Sequence, residues 1–472
     1  MRNFRTSLSV AFAALVLAAC ATTPPGEQSS DVPVAPSWNQ LEKASPSLAM
    51  NANVEVEHDW WRHFGDPTLD ALIAEAIANN KSLQIAVARI EEARANRGIA
   101  RSRLFPEVSG SASAQRGNQG FQSFDQTVSA AQVTIDASWE VDLFGRNQAR
   151  TQEAGAILQS EEAAMQAVQV ALLAEVARNY FDVRNFEQQI VLTQQNLETQ
   201  QMTLSLIQAQ LQGGFSSDFD VQRAAAQVST TEAQIPVLRA SLDAAVNRLN
   251  TLVGLPPGTR DDMINAPQSL RPLDPQIVVA APATVLAARP DVRAAERRFA
   301  SSISATEAAT ADLFPTVSLT AFFGLQGVSG LAGTTPWGIG AGLIQPILNF
   351  GRIESQIDAA DARQRQAFFD YQKTVLEALE DMETALSSYV QETTRNASLA
   401  SAVAQDRRAA ELAQQQYLNG FTSLLDVLVA QRDLLAAEAN QAASDAALRK
   451  NLVAIYTAAG GGWQSGQAQA TP

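Results

Sequence analysis

Two hydrophobic periods divide this chain. Between Arg146 and Gln212 one apolar series recurs every seven residues: Val176, Val183, Ile190, Leu197, Leu204 and Leu211. Leu158, Met165 and Leu172 continue it upstream, shifted by a step of four. A later stretch answers with Phe368, Val375, Met382, Tyr389, Val403 and Tyr417, a series broken at Asn396 and Ala410. A sustained period of seven predicts helices packed along one another rather than a helix resting on a globule. The first stretch holds no Pro and a single Gly, Gly155. It therefore predicts one helix about 100 Å long, and its many Ala residues let neighbouring helices approach closely.

The second period is two. Val133, Ile135, Ala137, Trp139 and Val141 alternate with polar residues. Val317, Leu319, Ala321, Phe323 and Leu325 share one face, as do Trp337, Ile339, Ala341 and Leu343, and a weaker alternation starts at Val108. Four strands of about ten residues are expected, in hairpins at about 107–142 and 316–347, with turns at 116–125 and 327–336. Such strands with one apolar face fit a transmembrane β-barrel; the competing reading is two half-buried soluble hairpins. Four strands cannot close a barrel, and an open edge in lipid leaves backbone groups unpaired at several kcal/mol each. Two chains would give eight strands, an interior filled by side chains. Three would give twelve and a lumen.

The two periods are joined by an internal repeat. Leu104-Phe105-Pro106 recurs as Leu313-Phe314-Pro315, an offset of 209. Phe144-Gly145-Arg146 recurs as Phe350-Gly351-Arg352, Gly214-Phe215 as Gly420-Phe421, and Asp220-Val221 as Asp426-Val427, each with an offset of 206. Each half thus runs helix, LFP, hairpin, FGR, long helix, Gly-Phe, helix. Pro106 and Pro315 forbid helix continuation and push the preceding Phe towards an extended conformation, so they mark helix-to-strand joints. The expected organisation is a first repeat at 59–252, a Pro-rich connector at 253–282, a second repeat at 283–459 and a tail at 460–472.

The N-terminus adds an address. Arg2 and Arg5 precede a short apolar run, Val10 to Leu17, too short to span a bilayer as a helix. It reads as a signal peptide, residues 1–19. Leu17-Ala18-Ala19-Cys20 has the form of a bacterial lipobox, in which Cys20 is acylated; Cys20 is the only cysteine of the chain. Residues 20–58 then form a lipid-anchored tether, Pro- and Ser-rich at first. The formal charge of −15 without basic clusters argues against nucleic acid as a partner. One Cys excludes an intrachain disulfide, and His58 and His63 beside Trp60, Trp61 and Phe64 suit packing better than a metal site. No nucleophile elbow or phosphate loop points to an enzyme, and no metal or cofactor is expected beyond the lipid on Cys20. The sequon at Asn396 lies inside the second heptad stretch and is read as accidental.

Two turns interrupt the helical patterns. Gly213-Gly214-Phe215, in the turn 213–217, and Gly420-Phe421, in the turn 419–423, supply the left-handed residue that a helix hairpin needs. Ser217 or Asp218, and Ser423, are candidate caps. Asp220 and Asp426 follow at matching places. Around an axis shared by three chains they would form rings of charge.

Together the lipobox, WWRHFGDPTLDALIAEAI from Trp60, ANNKSLQIAVARIEEARA from Ala78 and the paired LFP, FGR and Gly-Phe motifs resemble the outer-membrane efflux factors. These are the TolC-like family, here in its NodT/OprM-like lipoprotein branch. The likeness covers essentially the whole mature chain. It implies a membrane α+β fold: a trimeric channel-tunnel with four strands per chain in a shared twelve-stranded barrel above an α-helical barrel. It implies a passive conduit in the outer membrane, reaching into the periplasm. There it would serve a periplasmic adaptor and an inner-membrane pump of the resistance-nodulation-division type. The tips at Gly213, Gly214, Phe215, Gly420 and Phe421 would dock the adaptor. By the same likeness Asp426 matches the family's aperture aspartate, and Tyr417 and Asp220 match two members of its closing network. Thr422 stands where some members carry the network's Arg, and Val429 replaces a second aspartate. The alternative is a lipid-anchored periplasmic coiled-coil adaptor.

Overall fold

The computed structural model describes residues 32–40, 48–50, 56–118, 127–266, 277–329 and 332–463. The signal peptide and Cys20 lie outside the described residues. So do parts of the tether, of both hairpin turns, of the connector and of the tail. Chain contacts divide the protein into two units. One comprises Met1–Val32, Ala88–Ala163 and Arg293–Thr374, and the other Pro33–Val87, Ala164–Val292 and Val375–Pro472. Each is taken by itself.

In the first unit, β2 (Glu107–Asn118), β3 (Thr127–Val141), β5 (Thr316–Val328) and β6 (Trp337–Ile344) form one antiparallel sheet in that order. The strands are unequal, with 12, 15, 13 and 8 residues. Two expected turns are corrected at their edges. Pairing carries β2 to Asn118, inside 116–125, and β5 to Val328, inside 327–336, where Gln326 also bridges Thr334. Backbone groups there find cross-strand partners, which outweighs the turn-forming character of Gly117 and Gly327.

Helix gives way to strand at both LFP motifs. Helix α2 (Lys81–Ser102) ends just before Leu104-Phe105-Pro106, and α8 (Pro290–Ala311) before Leu313-Phe314-Pro315. Strands β2 and β5 begin at the next residue after each proline. Phe144 stacks on Phe314, centroids 4.9 Å apart. Arg146, the first residue of α3 (Arg146–Gln212), reaches Glu140 at 2.5 Å and Asp312 at 3.1 Å. Asp142 accepts from the amides of Asn147 and Gln148, capping the same helix end. Trp139 Nε1 donates to the Leu104 carbonyl at 3.1 Å. Trp139 of β3 and Phe144 just beyond it thus contact the first and second LFP segments in turn.

The second unit is built on helices. The remaining elements are β1 (Leu48–Met50), a 3-10 helix (Trp60–Phe64), α1 (Pro67–Asn79), α4 (Asp218–Glu232), α5 (Gln234–Leu252), α6 (Asp261–Ile264), β4 (Ile277–Val279), α7 (Pro282–Ala288), α9 (Arg352–Leu418) and α10 (Leu424–Ala458). Helices α3 and α9 have 67 residues each. Strands β1 and β4 pair in parallel. The core gathers Trp38, Trp60, Phe64, Leu72, Phe181 and Met382. Asp66 caps α1 through the Thr68 and Leu69 amides and accepts from the Tyr180 hydroxyl. Burial first, then that bond to Asp66, pushes the Tyr180 phenol well above its ordinary range. Arg184 ties down the connector by donating to the carbonyls of Ile264 at 2.6 Å and Ala266 at 3.1 Å.

The heptad seam is apolar for only part of its length. Val176, Val183, Val375, Met382 and Tyr389 are buried. Farther along α3, Ile190, Leu197 and Leu204 are half-buried and Leu211 is exposed. The buried line there runs through Thr193, Asn196, Gln200, Thr203 and Ile207, which corrects the expected seam. Hydrogen bonding accounts for the shift. Asn196 donates to the Gln431 carbonyl, Gln200 to the Asn196 side chain, and Gln431 Nε2 to Thr203 Oγ1.

Candidate functional site

Two places are candidates for function, one in each unit: the sheet with its joints, and the pair of helix turns.

Register gives the sheet two chemically distinct faces. Directly opposed residues share a face. Val133 faces Leu325, Ile135 faces Phe323, Trp139 faces Leu319, and Val317 faces Leu343. With Ala137 opposite Val108, one apolar face crosses all four strands. The other face carries a hydroxyl relay in which Ser111 bonds Thr134 at 2.8 Å and Thr134 donates to Asp136 at 2.9 Å. On that face β6 offers Gly338, Gly340 and Gly342 in alternation, and a Cβ on Gly338 would lie 2.7 Å from the Phe322 ring. That close approach is why the row is glycine. In one chain the apolar face is open: Ile135 is 56% exposed and Ile339 82%. Strands β2 and β6 form the edges of the sheet. Among the described residues no helix is long and apolar enough to cross a membrane.

The turns are near duplicates. After α3, Phe215 N donates to Gln210 O and Gly214 N to Leu211 O; after α9, Phe421 N donates to Gln416 O and Gly420 N to Tyr417 O. These are Schellman caps. Gly214 and Gly420 take left-handed φ of 78° and 76°, which requires glycine; Gly213 does not, and Asn419 holds its place in the second turn. Ser217 caps α4 and Ser423 caps α10 in full capping boxes with Asp220 and Asp426. This revises the two aspartates, whose carboxylates accept from the cap serines as well as facing solvent. Thr422 also donates to Asp426 at 2.7 Å. Bonds from Ser423 and Thr422 hold the Asp426 carboxyl below its ordinary range, so it stays ionised at neutral pH.

Tyr417 does not hydrogen-bond Asp220; its hydroxyl donates to Gln210 Oε1 at 2.7 Å. Its phenol is raised by burial and then by the nearby Asp220 charge. Gln210 is a partner that sequence alone does not flag, since 207 positions separate the two. A small core of Ile207, Val221, Ala224, Leu424 and Leu428 binds the two turns together. The rings of Phe215 and Phe421 stand outside it, 87% and 83% exposed.

The other candidates serve packing. Trp60, Trp61 and Phe64 are buried, and His63 sits between Tyr456 at 3.0 Å and Glu57 at 2.9 Å. Asn396 lies within α9 and donates to Asp445 and Ser444.

Comparison with known proteins agrees with this geometry. The family described as outer membrane efflux protein matches residues 72–255 and 281–461, one span in each half. The pyoverdine export outer membrane protein OpmQ of Pseudomonas aeruginosa is 31% identical over 97% of each chain. Nodulation protein T of Rhizobium leguminosarum bv. viciae is 29% identical over 98% of this chain and 94% of its own. Among solved structures, the outer-membrane channel OprN superposes with a TM-score of 0.85 at 32% identity, covering 93% of this chain and 99% of that one. The open state of the Neisseria gonorrhoeae MtrE outer membrane channel gives 0.81 at 27% identity, over 93% and 98%. The chain belongs to the outer membrane efflux protein family, and it is the outer-membrane channel component of an efflux system, with the channel-tunnel fold.

Proposed function

We propose that three copies share their sheets in one twelve-stranded barrel, anchored also by lipid on Cys20. Passive export is driven elsewhere, by an inner-membrane pump of the resistance-nodulation-division type working through a periplasmic adaptor. Gly213, Gly214, Phe215, Gly420 and Phe421 form the adaptor-docking tip. The carrying observation is the four-stranded sheet with one continuous apolar face and two edges at β2 and β6. In lipid those edges must be paired. The relatives' names mention pyoverdine, solvents and toluene, so the cargo proposed here is drugs and other small toxic compounds. Outer-membrane fractions should yield an SDS-resistant trimer that collapses on heating, labelled by palmitate through Cys20. A monomer with protease-accessible strands overturns the reading.

Asp220, Asp426, Tyr417 and Thr422 line or gate the pore near the tip. The observation is an exposed, ionised Asp426 one step beyond a turn that three chains would repeat around the axis. Asp426→Ala should lower cation preference in planar bilayers. Unchanged selectivity and conductance would remove it from the pore.

A further inference from the structure

Charge in the two hairpins is sorted by face, with one exception. Glu107, Asp136 and Glu140 stand on the polar face, opposite Ser138, Ser109 and Ser318. Arg116 is the only Lys or Arg between Arg103 and Arg146, and none stands between Arg298 and Arg352. That single base is on the other face. It opposes Ser129, in the series that holds Val108, Ala112 and Ala114 on β2 and Ala131, Val133 and Ile135 on β3. Its side chain is exposed, and among the described residues no acid pairs with it. Ten residues of strand after Pro106 carry the chain about 33 Å, and a tilt of roughly 40° makes this a rise of about 25 Å. That matches the full height of the apolar band of a membrane barrel. On the lipid-facing reading of the sheet, the Arg116 guanidinium therefore stands at headgroup level.

The surface beside it is hollowed. Farther down the same face large residues oppose one another, Val133 with Leu325 and Ile135 with Phe323. At the end away from the helices the row is Ala114, Ala131 and Gly327, directly opposed. The next row is Arg116, Ser129 and Ser329. There the Ser129 amide donates to Ser329 Oγ at 3.0 Å, and the Ser329 amide to the Ser129 carbonyl at 2.8 Å. These six residues help line a hollow of about 540 Å³. The Ser329 hydroxyl accepts from an amide and keeps its own proton to donate. One cation and two hydroxyls thus stand at the rim of a trough floored by small apolar residues.

We infer that this corner of the sheet binds a lipid that bears a phosphate on its headgroup. The phosphate sits on the Arg116 guanidinium with Ser129 and Ser329 beside it, and an acyl chain lies over Ala114, Ala131 and Gly327. Guanidinium and phosphate match in charge and in the geometry of paired donors and acceptors. A free anion would use the charge and leave the trough bare. A neutral lipid would fill the trough and leave the cation unpaired. A phosphorylated lipid satisfies both.

This rests on the lipid-facing sheet proposed above, and the test tells the two apart. The full-length protein in detergent is mixed with phosphatidic acid or with diacylglycerol of the same chains, and the lipid retained per chain is counted by native mass spectrometry. Phosphatidic acid should bind about tenfold more tightly, the range of one charge-assisted hydrogen bond. Arg116→Gln should erase that preference, and Arg116→Lys should keep part of it. Ala131→Leu fills the trough and should weaken the binding of phosphatidic acid with Arg116 still in place. An Arg116→Gln protein that prefers phosphatidic acid as wild type does overturns the site. Unchanged binding by Ala131→Leu overturns the trough. Displacement of the lipid by millimolar inorganic phosphate overturns the lipid as occupant and marks a site for a free anion. A sheet not turned to lipid would retain neither lipid, in wild type and variants alike, and that result overturns the membrane reading with it.

Discussion

Ile135→Arg should keep the protein out of the outer membrane. Ile135 lies at the middle of β3, on the apolar face, opposite Gly110 on one side and Phe323 on the other. A guanidinium at the mid-height of a lipid-facing strand costs about 2–4 kcal/mol. The three-copy barrel proposed above would bear that three times, on the order of 6–12 kcal/mol, which approaches the whole stability of an ordinary domain. Ser113→Arg, on the opposite face of β2 and paired with Gln132, is the control. Immunoblots of separated inner- and outer-membrane fractions give the readout. The control should assemble as wild type does, while Ile135→Arg protein should be degraded or pelleted unassembled. Wild-type amounts of Ile135→Arg in the outer membrane would mean that this face is not turned to lipid.

Trp60→Ala should be the most destabilising single truncation in the helical unit. The Trp60 side chain is fully buried. Its ring stacks on Tyr456 with centroids 5.6 Å apart and meets Trp61 and Phe64 edge-on. A Cβ added at Gly461 or Gly462 would lie only 3.1 or 3.3 Å from the same indole, so that stretch of chain leaves no room for a side chain beside it. Truncation removes the transfer energy and leaves a cavity, together about 3–5 kcal/mol. Thermal loss of helical circular dichroism in detergent measures this. Phe215→Ala, in an exposed ring, should leave the melting curve where it was. Equal melting of wild type and Trp60→Ala would show that the site collapses without cost.

Much of this architecture stands in the sequence because it rests on local chemistry. Proline at 106 and 315 ends a helix whatever surrounds it, and strand pairing starts at the next residue. The dyad of β3 and β5 survives because one face is apolar throughout, and a one-residue slip would turn it over. The long helices are legible from the lack of Pro between Arg146 and Gln212. What is not legible depends on partners distant in the chain. No local pattern announces that α3 buries Asn196 and Gln200 while exposing Leu211, because that follows from where Gln431 lies. The bond of Tyr417 to Gln210 is hidden for the same reason. The capping boxes are a different case. Ser-x-x-Asp stands at 217–220 and 423–426, and the pattern itself signals a cap.

The buried amides of α3 and α10 carry a further consequence. An apolar heptad seam is nearly indifferent to sliding by one heptad, about two turns, because leucine meets leucine again seven residues on. Asn196, Gln200, Thr203 and Gln431 bond one another at one setting of the helices, and a slide would break those bonds between buried groups. Their worth is therefore phase rather than strength. They keep two helices in step along the stretch beyond the apolar seam, so that two turns 206 residues apart in sequence end at the same level.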